Sequence, residues 1–97
     1  MEKFFIPYAG DLPAAIDIKG HRLLIISTDH DEIEYSLATL GGSEIREIEL
    51  RASNPDEASS VLAGLAANIN GGVVLAPPGI PVSAMICSLE QELPWIH

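Results

Sequence analysis

Short apolar runs alternate with helix start signals along this chain, and this alternation limits the folds that it can adopt. Residues 22–27 (Arg-Leu-Leu-Ile-Ile-Ser) form an almost unbroken apolar run, which is typical of a strand buried on both faces of a parallel sheet. Residues 73–76 (Val-Val-Leu-Ala) form a second run of this kind. Each run is followed by a segment that favours a helix, so we expect strands joined by helical crossovers.

Three helices are predicted, near residues 30–41, 55–69 and 81–92. The second has the clearest start, because Asn54 suits the N-cap, Pro55 the first helical position and Glu57 the capping box. The first follows Thr28-Asp29 and is expected to stop at residues 41–42, which are both glycine.

Further strands are expected at residues 3–7 and 14–18, the latter joined to the central strand by a Lys19-Gly20 hairpin turn. Residues 44–50 suit either a helix or a strand, and the flanking Gly-Gly and Asn-Pro pairs favour a strand. We predict one α/β domain over residues 1–97, with three layers and a mainly parallel sheet that has an N-terminal hairpin or edge strand. A split ferredoxin-like α+β arrangement is the alternative.

Charge and composition exclude several classes of partner. The chain has 97 residues, a net charge of −9 and 5% aromatic residues, which disfavours duplex DNA, single-stranded nucleic acid and anionic membranes. It has no stretch of 18 apolar residues, and the single Cys87 has no partner for an internal disulfide. We therefore expect a cytoplasmic protein. A small phosphorylated ligand stays compatible with this charge, since backbone N–H groups hold phosphate locally.

The predicted ligand site lies in the three loops that follow the parallel strands, at residues 27–30, 51–54 and 76–83. Only the third helix has no acidic residue near its start, because none lies between Pro77 and Glu90. The N-terminus of that helix is thus predicted to bind phosphate through Gly79, Ile80 and Ser83. The alternative is that the Pro-Pro-Gly segment only turns the chain.

Two further residues in these loops have chemical potential. His30, next to Ser27 and Thr28, suits proton transfer, although the same pattern is typical of a helix cap with a solvated first turn. Arg51 suits a phosphate clamp or an ion pair with a nearby acid. We expect no metal and no cofactor, since the three histidines have no paired spacing and there is one cysteine.

Small residues lie opposite the apolar stripes of the second and third helices, and this predicts a homodimer contact through one of these faces. A solvated face without a partner is the alternative. The residues are Ser60, Ala63, Gly64 and Ala67 on the second helix, and Ser83, Ala84, Cys87, Ser88 and Gln91 on the third.

Residues 23–28, 73–84 and 92–96 resemble the corresponding stretches of small CRISPR-associated accessory proteins. Those proteins are Rossmann-like and commonly dimeric, and some bind or cleave cyclic oligoadenylate as ring nucleases. The resemblance implies a phosphodiester held by Gly79, Ile80 and Ser83, with Ser27, Thr28 and His30 on the opposing wall. Metal-independent cleavage by a ribose 2′-OH would then use His30 and Arg51 as the catalytic residues. The competing hypothesis is a non-enzymatic, acidic, homodimeric protein–protein interaction module.

Overall fold

Six strands and three helices make up the fold in this computed structural model, which describes residues 2–51 and 53–92. The strands are β1 (Glu2–Ala9), β2 (Leu12–Pro13), β3 (Ile16–Ile18), β4 (His21–Ser27), β5 (Glu44–Leu50) and β6 (Gly72–Ala76). The helices are α1 (His30–Tyr35), α2 (Pro55–Ile69) and α3 (Val82–Glu92).

The sheet is mostly antiparallel, so the predicted mainly parallel, Rossmann-like α/β fold is wrong. Its four main strands lie in the order β5-β1-β4-β6, while β2 pairs with β1 and β3 pairs with β4. β1 is antiparallel to both of its neighbours, β4 and β5. Among the described strands, β4 and β6 form the one parallel pair, with Leu24 opposite Val73 and Ile26 opposite Leu75. The element order also differs from the β-α-β-β-α-β order of the ferredoxin-like alternative.

The position of β1 explains the wrong prediction. Residues 3–7 were expected to form a short hairpin or edge strand, whereas β1 has 8 residues and lies between β4 and β5. Ile6 is fully buried, as expected for the middle of a central strand. β4, β5 and β6 run in the same direction, as their helical connections predicted. Because β1 separates β5 from β4, this shared direction does not produce a parallel sheet.

Other strand predictions are confirmed. β4 and β6 are parallel neighbours, and residues 44–50 form a strand. The hairpin from β3 to β4 turns through Lys19 and Gly20, whose φ angles are 51° and 83°. Two successive positive φ angles between the paired residues Ile18 and His21 are typical of a tight two-residue hairpin turn. The strand predicted at residues 14–18 is shorter in the structure, where it is β3 (Ile16–Ile18). The two-residue strand β2 was not predicted.

Helix α2 begins and ends where the sequence predicts. The Asn54 Oδ1 accepts a hydrogen bond from the backbone N–H of Glu57 at 3.2 Å. In the reverse direction, the Asn54 side-chain amide donates to the Glu57 carboxylate at 3.1 Å. Two reciprocal hydrogen bonds therefore hold the first turn, and α3 begins at Val82, one residue later than expected.

Helix α1 is shorter than predicted. It ends at Tyr35, and residues 36–41 continue as turns rather than as a helix to residue 41. The Leu40 N–H donates to the Ser36 carbonyl at 2.9 Å, which keeps Leu40 buried against the sheet. The apolar spacing predicted this burial correctly, since Ile33 and Leu40 are both part of the core.

Two apolar clusters lie on opposite faces of the sheet, because successive side chains of a strand point to opposite sides. Leu24 and Ile26 face α2, and Ile25 between them faces α1 and α3. The buried members of the first cluster are Ile6, Leu24, Ile26, Leu65 and Ile69. Those of the second are Ile25, Ile33, Leu40, Ala76 and Val82. Helices therefore cover both faces and leave the two edges of the sheet, β5 and β6, at the surface.

Candidate functional site

The carboxyl ends of β4, β5 and β6 lie at one edge of the sheet, since these strands run in the same direction. An open cavity of about 760 Å³ lies at this edge, between the start of β1 and the segment that follows β6. Of the predicted site residues, Thr28 lines this cavity. Pro77 and Pro78, which were not predicted to bind a ligand themselves, line it as well. Most of the residues that line this cavity differ from the predicted site residues, whose role in ligand binding stays a prediction.

The Ser27 side chain stabilises the turn that leads into α1. It is almost fully buried, and its Oγ accepts a hydrogen bond from the Asp29 N–H at 3.0 Å. Asp29 in turn caps α1, because its Oδ1 accepts from the Glu32 N–H at 3.3 Å. These contacts make Ser27 part of the turn into α1, while the neighbouring Thr28 is half-buried and borders the cavity.

The N-terminus of α3 already has an acidic partner. The Glu32 carboxylate of α1 accepts a hydrogen bond from the Val82 N–H at 2.7 Å. The Ile80 N–H also has an acceptor, the Pro77 carbonyl at 3.4 Å. Glu32 lies 50 residues away in sequence, so the residues near the start of α3 do not reveal it. The phosphate-binding role of Gly79, Ile80 and Ser83 stays a prediction.

The two predicted catalytic residues are not brought together. His30 lies at the start of α1, with its ring edge-to-face against Phe5 at a centroid distance of 5.0 Å. Arg51 follows β5 and borders a different hollow on the α2 face, beside Phe4 and Leu62. Phe4 and Phe5 belong to clusters on opposite faces of the sheet, so His30 and Arg51 flank opposite faces as well.

His30 has two acidic neighbours on its own helix. Its Nδ1 lies 3.5 Å from a carboxylate oxygen of Asp31 and 3.4 Å from one of Glu34. One possible ligand atom from each residue lies within 4.8 Å of the others, and all three residues are exposed. Paired histidine spacing does not reveal this group, which consists of one histidine with carboxylates at the next and fourth positions. On an exposed helix these contacts are explained by hydrogen bonding and charge alone.

The outer edge of β6 is a surface feature that sequence reasoning missed. β6 pairs with β4 on one side, and no other described strand pairs with its outer side. No Asp, Glu, Lys, Arg or His occurs between residues 58 and 89, which include most of α2, all of β6 and most of α3. We call the exposed part of these residues the uncharged surface. The absence of charged residues from 58 to 89 is visible in the sequence, but it indicates a contact surface only because β6 is an edge strand.

Comparison of the chain with protein families, curated proteins and solved structures finds no match. The resemblance to CRISPR-associated accessory proteins therefore stays a prediction, as does the activity that it implies. The stretch at residues 92–96, on which it partly depends, lies largely outside the described residues.

Within residues 2–51 and 53–92, no helix is both long enough and apolar enough to cross a membrane.

Proposed function

We propose that this chain is a non-enzymatic protein–protein interaction module that forms a homodimer through the edge of β6 and the uncharged surface around it. The observation that carries the proposal is the separation of charge within the molecule. The net charge of −9 arises entirely outside residues 58–89. Two copies repel each other least when their uncharged surfaces meet, because like charges are then kept apart.

The two edges of the sheet differ in a way that supports this orientation. β5 carries charged side chains along its length, at Glu44, Arg46, Glu47 and Glu49. Charged residues on an edge strand discourage pairing with another chain. β6 has only Gly, Val, Leu and Ala, and its Leu75 side chain is 50% exposed. Of the two edges, β6 is therefore the one suited to accept another strand.

Pairing of β6 with its own copy gives a closed two-fold assembly. Two antiparallel copies of one edge strand exchange the same hydrogen bonds, so the contact satisfies both chains and leaves no further edge at the interface. The exposed small-residue faces that predicted a dimer, Ala63 and Ala67 on α2 and Ala84 and Cys87 on α3, belong to the same uncharged surface. Small side chains there let the helices of the second copy approach closely.

The test is the mass of the protein in solution and its response to one edge charge. We expect multi-angle light scattering to give twice the chain mass of 10.4 kDa. Leu75→Lys places two like charges close together across the two-fold axis and should produce a monomer. Tyr35→Lys is the control, since Tyr35 on α1 is also an exposed large side chain, at 89%, and lies outside residues 58–89.

Three results would contradict the proposal. The first is a monomeric wild type at the highest soluble concentration. The second is a Leu75→Lys variant that stays dimeric, and the third is a dimer that is lost in Tyr35→Lys instead. Circular dichroism of each variant must match that of the wild type, so that a change in mass reports on assembly rather than on unfolding.

A further inference from the structure

The end of α2 contains a chemically reactive pair of residues, Asn70-Gly71. Asn70 is the C-cap of this helix, with φ 54° and ψ 50°, and it is exposed to solvent. An asparagine side chain reacts with its own main chain most readily when glycine follows it, because glycine has no side chain to hinder the attacking nitrogen. The fate of Asn70 therefore depends on how the fold holds the Gly71 nitrogen.

The fold requires both residues of this pair. Asn70 has a positive φ angle, which asparagine and glycine adopt at helix ends more easily than other residues do. A Cβ on residue 71 would overlap the backbone carbonyl of Arg22 in β4, so a larger residue needs a shift of the backbone. A larger residue at position 71 would slow the reaction, but packing against β4 disfavours it. The reactive pair is therefore part of the connection between α2 and β6.

Hydrogen bonds at the helix end hold the attacking atom in place. The Gly71 N–H donates to the Ala66 carbonyl at 3.0 Å, and the Asn70 N–H donates to the Ala67 carbonyl at 3.2 Å. The Gly71 nitrogen can attack only after its N–H leaves the first of these bonds, so the closed helix end is unreactive. Helix ends open locally at a lower free-energy cost than the whole domain. When opening is fast relative to the chemistry, the open fraction sets the rate.

We propose that Asn70 is a site of spontaneous deamidation in the folded chain, and that opening of the last turn of α2 controls its rate. In the open form, the Gly71 nitrogen gives up its proton and bonds to Cγ of Asn70. The side-chain nitrogen takes up a proton and leaves as ammonia, which produces a cyclic imide. Water then opens the imide at one of its two carbonyls. One opening gives aspartate, and the other gives isoaspartate, in which the main chain runs through the former side chain.

Both products change the start of β6. Each places a carboxylate at the C-terminal end of α2, where the helix dipole is negative. Isoaspartate also adds a methylene group to the main chain directly before Gly71, which packs against Arg22. We expect this form to lose the pairing of Gly72 with Leu23. Residue 70 belongs to the uncharged surface, so deamidation should also weaken the dimer. This last consequence rests on the proposed function, whereas the reaction does not.

The other two asparagines are internal controls for the test. Asn54 precedes Pro55, whose nitrogen has no proton to lose, and Asn68 precedes the β-branched Ile69 inside the helix. The protein is incubated at neutral pH in H₂¹⁸O, with and without guanidinium chloride, and peptide mass spectrometry follows ¹⁸O uptake at each asparagine. In denaturant we expect Asn70 to react faster than both controls. In the native protein we expect measurable reaction at Asn70, at least about tenfold slower than in denaturant, because two hydrogen bonds must open.

A pair of matched variants separates local opening from global unfolding. Ile69→Val removes a buried methyl group from the last turn of α2, and Ile33→Val makes the same change in the core on the opposite face of the sheet. Ile69→Val should speed deamidation of the native protein by about two- to tenfold, because the lost contacts lower the cost of opening. Ile33→Val should leave the rate unchanged within about twofold. Circular dichroism shows whether each variant is folded.

Three results would overturn the proposal. These are reaction at Asn70 in denaturant but none in the native protein, equal rates in the two conditions, or equal acceleration by Ile69→Val and Ile33→Val. Asn70→Asp reproduces the aspartate product, and light scattering on this variant measures the effect on assembly. If deamidation occurs as expected and the dimer is absent or insensitive to Asn70→Asp, the proposed dimer surface is contradicted and the modification site stands.

Discussion

The contact between Glu32 and the start of α3 leads to a prediction about both stability and binding. The Glu32 carboxylate accepts hydrogen bonds from the Val82 N–H at 2.7 Å and from the Ser36 hydroxyl at 3.4 Å. A hydrogen bond to a charged group contributes about 1.5–3 kcal/mol, and the side chain is half-buried, so we take the lower part of that range. Glu32→Ala should cost about 2 kcal/mol, which lowers Tm by roughly 10 °C in a domain of this size.

Thermal unfolding followed by circular dichroism measures this change, with Glu47→Gln as the control. Glu47 is an exposed carboxylate on β5, and its replacement changes the net charge without touching α3. We expect the control to stay within about 0.5 kcal/mol of the wild type. Glu32→Gln keeps an acceptor but loses the charge, so its cost should lie between the two. Equal stability of Glu32→Ala and wild type would refute the assigned contact.

Calorimetry with inorganic phosphate extends the same test to binding. With the Glu32 carboxylate at the N-terminus of α3, we expect no phosphate binding by the wild type, since the carboxylate occupies a donor and repels an anion. Glu32→Ala removes this obstacle. If the wild type binds phosphate and Ser83→Asp abolishes that binding, the geometry argument is wrong and the site predicted from the sequence is correct.

Three further substitutions test the local structure through denaturant unfolding. Asn54→Ala removes both hydrogen bonds of the α2 cap and should cost about 1 kcal/mol; an unchanged midpoint would show that the cap contributes nothing. Gly71→Ala places a Cβ against the backbone carbonyl of Arg22 and should cost about 1–3 kcal/mol. Gly64→Ala, in the exposed middle of α2 with open space around it, should instead stabilise by about 0.5–1 kcal/mol, and equal effects at the two glycines would contradict this reading.

Local patterns predicted the elements better than their arrangement. The cap at Asn54, the turn at Lys19-Gly20 and the apolar run of β4 each depend on residues close in sequence, and each is present in the structure. The place of β1 depends instead on which strands it contacts. An apolar run shows that a strand is buried on both faces, but it does not show in which direction its neighbours run. The apolar run Phe4-Phe5-Ile6 is typical of a central strand, but it was assigned to a hairpin or an edge strand.

The dependence on residues close in sequence also explains why a phosphate site was predicted at α3. Phosphate binding at α3 was predicted from the acids near each helix start in sequence. Glu32 contacts α3 because α1 and α3 pack on the same face of the sheet, which the local sequence does not show. The charge-free stretch from Ala58 to Leu89 is equally visible in the sequence, but a stretch without charge is ordinary when it is buried. It becomes informative because β6 lies at an edge of the sheet and α2 packs against it. A strand edge without charged residues needs a partner or a cover, whereas β5 has its own charges to discourage pairing. The position of β6 in the sheet, together with the charge-free stretch, therefore predicts that another chain contacts the edge of β6.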